Sequence, residues 1–168
     1  MSTLADIDAA AVEQAHSRFG YQQVVITESG ALPFEDRFFD VVFCSSVLEH
    51  VTIPKSLLWT ERSGRNFRDA AHIHQTEFAS EIRRLGKGYF VQVPNRWFPI
   101  ETHTWLPFVG YLPRLLQLYV ISLSNRFWIK KTLSDFYLPT SAEIEDLFPG
   151  FNYCQRAGGW LSKINNCL

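Results

Sequence analysis

The stretch ESGALPFEDRFFDVVFCSSVLEHV, Glu28 to Val51, decides how this chain is read. Within it, Phe38 to Cys44 (FFDVVFC) is a short apolar run broken by Asp40. Its length and its β-branched and aromatic content argue for a buried strand rather than a helix. Glu35-Asp36-Arg37 ahead of it is polar and turn-like. Behind it, Ser45-Ser46 can cap a helix that opens at Val47-Leu48-Glu49-His50-Val51. A buried strand that runs into a helix N-terminus, with polar residues at the strand's carboxyl end, is where α/β proteins place their ligands.

The alternation of strand and helix continues outward. Ala9 to Phe19 is alanine-rich, with Asp8 to cap it and Gly20 to end it, and predicts a helix. Gln23 to Thr27 (QVVIT) predicts a strand. Thr52 to Ser63 reads as a linker or short helical piece, with Pro54 in a first turn. Phe67, Ala71, His74, Phe78, Ile82 and Leu85 trace one face of a long amphipathic helix over Asn66 to Leu85. Gly86 ends that helix after Arg83 and Arg84, which suit the negative end of its dipole. His72 and His74 point to different sides of it and make no metal pair. Gly88 to Val93 predicts a further strand, stopped by Pro94. Thr140 to Glu143 has the spacing of a capping box, and two weak strands near Phe151–Arg156 and Trp160–Asn165 can close a hairpin. Elements in this order define an α/β fold.

Composition narrows the function. With 168 residues the chain is read as one domain, 1–168, long enough for a real core. The formal net charge of -1 gives no basic footprint, so nucleic acid is not an expected partner. Cys44, Cys154 and Cys167 have no metal-ligand spacing, and an odd count argues against a disulfide framework. A reducing cytoplasm, and no metal site, are therefore expected. MSTLADIDAAAVEQ has no basic segment followed by an apolar one and is not read as a signal peptide. Aromatic residues gather after Trp97, and residues 97–130 are read as an aromatic-rich lid or substrate insertion. Tyr111 to Leu123 (YLPRLLQLYVISL) is too short to span a bilayer and reads as a buried or cleft-covering helix. The mixture of Trp105, Phe108, Tyr111, Arg114, Tyr119 and Trp128 keeps a weaker alternative open, contact of residues 104–128 with a membrane surface or a greasy substrate.

Two motifs at a fixed separation, Leu32-Pro33-Phe34 and FDVVFCSSVLEHV at Phe39 to Val51, resemble the middle of a class I S-adenosylmethionine (SAM)-dependent methyltransferase of the type 11, small-molecule group. EIRRLGKGYFVQVPNRWFPIETHTWLPF, Glu81 to Phe108, is similar to the fifth-strand region of one bacterial subgroup of that family. The resemblance implies a Rossmann-like sheet with helices on both faces, SAM as cofactor, and a small-molecule methyl acceptor, apolar or aromatic. ADIDAAAVEQA would be the end of the second strand and its helix. Asp6 would then accept hydrogen bonds from both ribose hydroxyls, with Ile7 beside it. Glu28 stands where the family has an aspartate that accepts from the adenine amino group, a departure that keeps the acceptor but moves it. Ser29, the Leu32 backbone and Ser45 would complete the cofactor pocket. His50 is the candidate base, unless it simply packs at a helix start. Glu101 and His103 are candidates for substrate contact, and Arg96 for an anionic group of the substrate or for a surface acid.

The resemblance also implies a gap. The family's first strand and its glycine-rich loop would precede Asp6, and no G-x-G-x-G occurs in the chain. That strand sits between the second and fourth, so two interior edges would lose their partner. The chain is therefore expected to be an N-terminally truncated methyltransferase that binds SAM weakly or not at all. The alternative is a non-catalytic Rossmann-like remnant that acts as an interaction module through its aromatic segment.

Overall fold

The computed structural model describes residues 2–26, 31–100, 103–127, 131–150, 153–157 and 160–165. The chain divides into two compact units, Met1–Glu35 and Asp36–Leu168. The first holds strands β1 (Thr3–Asp6) and β2 (Gln22–Val25), paired in parallel with Asp6 opposite Val25, and helix α1 (Ala9–Phe19) between them. The Asp8 carboxylate caps α1 by accepting from the Ala10 and Ala11 amides. Gly20 ends the helix in the left-handed region, φ 69°, where its N–H donates to the His16 carbonyl at 2.7 Å. That backbone conformation suits a residue without Cβ. Both punctuation marks read from the sequence act as expected.

The larger unit is built on a four-stranded sheet of order β3-β4-β6-β5. Strands β3 (Phe39–Ser45) and β4 (Gly86–Pro94) are parallel, and the long helix α2 (Gly64–Leu85) connects them. Strands β5 (Tyr153–Ala157) and β6 (Trp160–Asn165) form the expected antiparallel hairpin, and β6 pairs antiparallel with β4. Helices α3 (Arg114–Phe127) and α4 (Ser141–Leu147) follow β4, and Thr140 and Glu143 form the expected capping box on α4. The architecture is α/β, with parallel strands joined by helices.

The core of this unit follows from the period of two along β4. Tyr89, Val91 and Val93 are buried together with Ala79 and Ile82 of α2 and with Ile144, Leu147 and Phe148 at α4. α2 passes into β4 without a loop. A Cβ on Gly86 would lie 2.5 Å from the Gly88 carbonyl oxygen and 3.0 Å from a Val42 methyl, so only glycine fits this junction.

Three expectations are corrected. β3 is not buried on both faces: Cys44 is buried and Val42 packs on the core, but Val41 and Phe43 are 62% and 71% exposed. The apolar run suggested cover on both sides, whereas the core just described lies on one. The helix expected after Ser45 is a single 3-10 turn, Leu48–His50, with no side-chain cap. Ser46 adopts φ 56°, which turns the chain sharply. The Leu48 and Glu49 carbonyls are then taken by Gln75 Nε2 and the Tyr137 amide rather than by a longer helix. Finally, α3 buries Arg114, Leu118 and Ile121 and leaves the remaining apolar side open, so Arg114 is not part of an interfacial surface. No described helix is long and apolar enough to cross a membrane.

Candidate active site

In the smaller unit, Asp6 ends β1 at its carboxyl end. One oxygen, Oδ1, accepts the Asp8 amide at 2.9 Å. Among the described residues Oδ2 carries no hydrogen bond, so Asp6 keeps an acceptor where the resemblance puts the ribose. Ile7 next to it is exposed, and the Leu32 carbonyl accepts the Phe34 amide at 2.8 Å. Glu28 and Ser29 lie outside the described residues.

In the larger unit, the carboxyl ends of the parallel strands β3 and β4 lead into the site. Ser45, at the end of β3, donates its hydroxyl hydrogen to Gln92 Oε1 at 3.0 Å. The chain then turns at Ser46 and delivers Leu48, Glu49 and His50. The segment after β4 delivers His103, between Pro94 and two further positive-φ residues, Trp105 and Phe108 (φ 58° and 61°). Non-glycine residues in this region are strained, and such strain concentrates at functional sites.

His50 and His103 meet edge to face, with ring centroids 4.8 Å apart at 88°. Phe136 stacks on His103 at 4.7 Å and 14°. His50 Nδ1 lies 3.3 Å from Asp135 Oδ1. Burial works to raise the Asp135 carboxyl, but the His50 contact outweighs it and holds the group below its ordinary value. Thr52 fixes the same segment by donating to the Asp135 carbonyl at 2.8 Å, and Gln75 ties Leu48 to Tyr137 from within α2. Glu49 is wholly buried, with its Oε1 3.8 Å from His103 Nε2. Burial, and then the Glu49 charge, push the Cys44 thiol up to about 12, so this cysteine is inert as a nucleophile.

The structure thus brings together His50 and His103 of the residues singled out from sequence, while Ser45 is bonded to Gln92 at the end of β3. Glu101 lies outside the described residues. Arg96 lies over the rings of Trp97 and Tyr137, and with Arg114, Phe136 and Tyr137 it lines a cleft of about 190 Å³. Glu49 and Asp135 were missed. Glu49 had a signal, its place beside His50 in Leu48-Glu49-His50. Asp135 had none, because only the fold brings it back across 85 residues to His50.

Residues 2–61 match a family described as a methyltransferase domain. Over that segment the chain resembles a methyltransferase domain. No curated protein matches the chain. Among solved structures, the PH0226 protein from Pyrococcus horikoshii OT3 has a similar fold, with a TM-score of 0.56, 16% identity, and cover of 97% of this chain and 71% of that one.

Proposed function

We propose that this chain transfers a methyl group from SAM to a small-molecule acceptor. The observation that carries the reading is Asp6: a carboxylate with an unused oxygen at the carboxyl end of a parallel strand, inside the segment that matches a methyltransferase domain. Bound SAM would supply an already activated methyl group, so the protein has chiefly to hold two reactants in line and exclude water. Asp6 would hold the ribose, with Ile7, Glu28, Ser29 and Leu32 as the other cofactor-binding candidates of the smaller unit and Ser45 as that of the larger one.

His50, His103 and Glu101 are assigned to the acceptor side. The Asp135 contact at Nδ1 leaves the other ring nitrogen of His50 to accept a proton where the acceptor loses one. Residues 97–130 are proposed as the acceptor wall. Phe136 supports a small acceptor, since it lines the 190 Å³ cleft and also stacks on His103. Arg68, Arg96 and Arg114 on the same cleft suit an acceptor with a negatively charged group. The free, buried Cys44 accords with the reducing cytoplasm expected from the cysteine count.

Calorimetric titration of the chain with SAM tests this reading. Weak binding is expected, since no glycine-rich loop occurs in the chain, and Asp6→Ala should weaken it further by about tenfold or more, the loss of a charge-assisted hydrogen bond. Absence of binding by the parent chain, or indifference to Asp6→Ala, would remove the reading. A second reading, an interaction module, draws on α3, where Leu115, Leu116, Tyr119, Leu123 and Phe127 are all exposed. Self-association without SAM binding would favour it.

A further inference from the structure

Glu49 is fully buried, and neither carboxylate oxygen has a hydrogen bond among the described residues. An ionised carboxylate is stable in such a place only beside a cation or with donors aimed at it. Among the described residues no lysine or arginine pairs with it. His103 Nε2, 3.8 Å from Oε1, is the basic atom found there, and beyond it stands a second imidazole.

We infer that Glu49, His50 and His103 form a binding site for a divalent transition cation of the zinc class. One donor atom from each of the three lies within 4.8 Å of the others. Donors held about 2.1 Å from a tetrahedral ion stand about 3.4 Å apart, so small side-chain rotations close the set. Two imidazoles and one carboxylate suit Zn²⁺ and Co²⁺ better than Mg²⁺ or Ca²⁺, which prefer oxygen throughout. The ligands come from two segments, the turn after β3 and the chain after β4, and both are fixed by the contacts described above.

Asp135 completes the arrangement. Metal-binding imidazoles characteristically donate their second N–H to a carboxylate, which sets the tautomer and the ring orientation. His50 Nδ1 lies 3.3 Å from Asp135 Oδ1, so a metal-bound His50 would have this carboxylate beside its second nitrogen. The expectation of no metal site rested on cysteine spacing and on the His72–His74 pair, neither of which takes part. Three protein ligands leave a fourth position open. On the methyl-transfer reading, and only there, that position takes an acceptor oxygen, whose proton the ion makes more acidic; His50 is then a ligand and no longer a free base.

The test is titration of the chelator-treated full chain with Zn²⁺ by calorimetry and with Co²⁺ by visible absorption. One equivalent should bind, with the strong visible bands of four-coordinate Co²⁺ and a rise in Tm on adding Zn²⁺. Glu49→Gln and His103→Gln should each weaken binding by about a hundredfold or more, and Asp135→Asn by about ten- to a hundredfold. His72→Ala, in the exposed part of α2, should leave it unchanged. Absence of Zn²⁺ binding and of Co²⁺ bands in the parent chain overturns the proposal, whether or not the variants fold. So does binding of parental strength in folded Glu49→Gln and His103→Gln. SAM titration of the same samples in EDTA reads the methyl-transfer assignment separately.

Discussion

Helices α2 and α3 belong to the same unit and both carry an apolar stripe, yet they present opposite faces to a reader of the sequence. α2 buries Phe67, Ala71, Gln75, Ala79, Ile82 and Leu85, spaced three and four apart, and turns its charged residues outward. α3 buries Arg114, Leu118 and Ile121, while Leu115, Leu116, Tyr119, Leu123 and Phe127 stay exposed. Each helix also buries one polar group that donates to backbone carbonyls, although Arg114 Nε has no hydrogen bond among the described residues. Gln75 donates to Leu48 and Tyr137; Arg114 donates to Ser134 and Leu58 and lies 3.8 Å over the Phe67 ring. The difference shows what hydrophobic periodicity can decide. It locates the buried face when the opposite face is polar. When a helix is apolar around most of its girth, the pattern fits several faces and the neighbours choose.

Three substitutions sharpen or break this comparison. Ile82→Ala, on the buried stripe of α2, is expected to destabilise the chain by about 2–5 kcal/mol in denaturant unfolding. A loss near zero would mean that the stripe is not core. Arg114→Met should cost about 2–3 kcal/mol, because the Ser134 and Leu58 carbonyls lose a charged donor in a buried place. Burial already holds the Arg114 guanidinium down to about 10, so part of that cost is returned when the charge is removed. A neutral result would show that this desolvation outweighs the hydrogen bonds. Tyr119→Ser, on the open side of α3, should change stability by no more than about 0.5 kcal/mol. A larger loss would show that something covers this face in solution.

Legibility varied along the candidate site for the same reason. Asp6 was singled out through the family resemblance of ADIDAAAVEQA, and Ser45 because it follows the apolar run of β3. His50 could be found because it follows the apolar run. The turn that holds it was misread as a helix, since Ser45-Ser46 before Val47-Leu48 has the composition of a cap. What the residues could not display was the φ of 56° at Ser46, nor the Tyr137 amide and Gln75 side chain that take up the Glu49 and Leu48 carbonyls. Glu49 was not singled out and is fully buried.

The sequence by itself determined most elements of this protein, their order and several of their ends. Asp8, Gly20, Gly86 and the Thr140–Glu143 pair mark those ends by chemistry that acts over three or four residues, and such local effects survive in the linear pattern. Only the tertiary structure decided which side of β3 is covered, which face of α3 is buried, and that Glu49, His50, His103 and Asp135 share one place. Those facts depend on contacts between segments 50 to 85 residues apart, where no spacing rule constrains the partner and packing alone makes the choice.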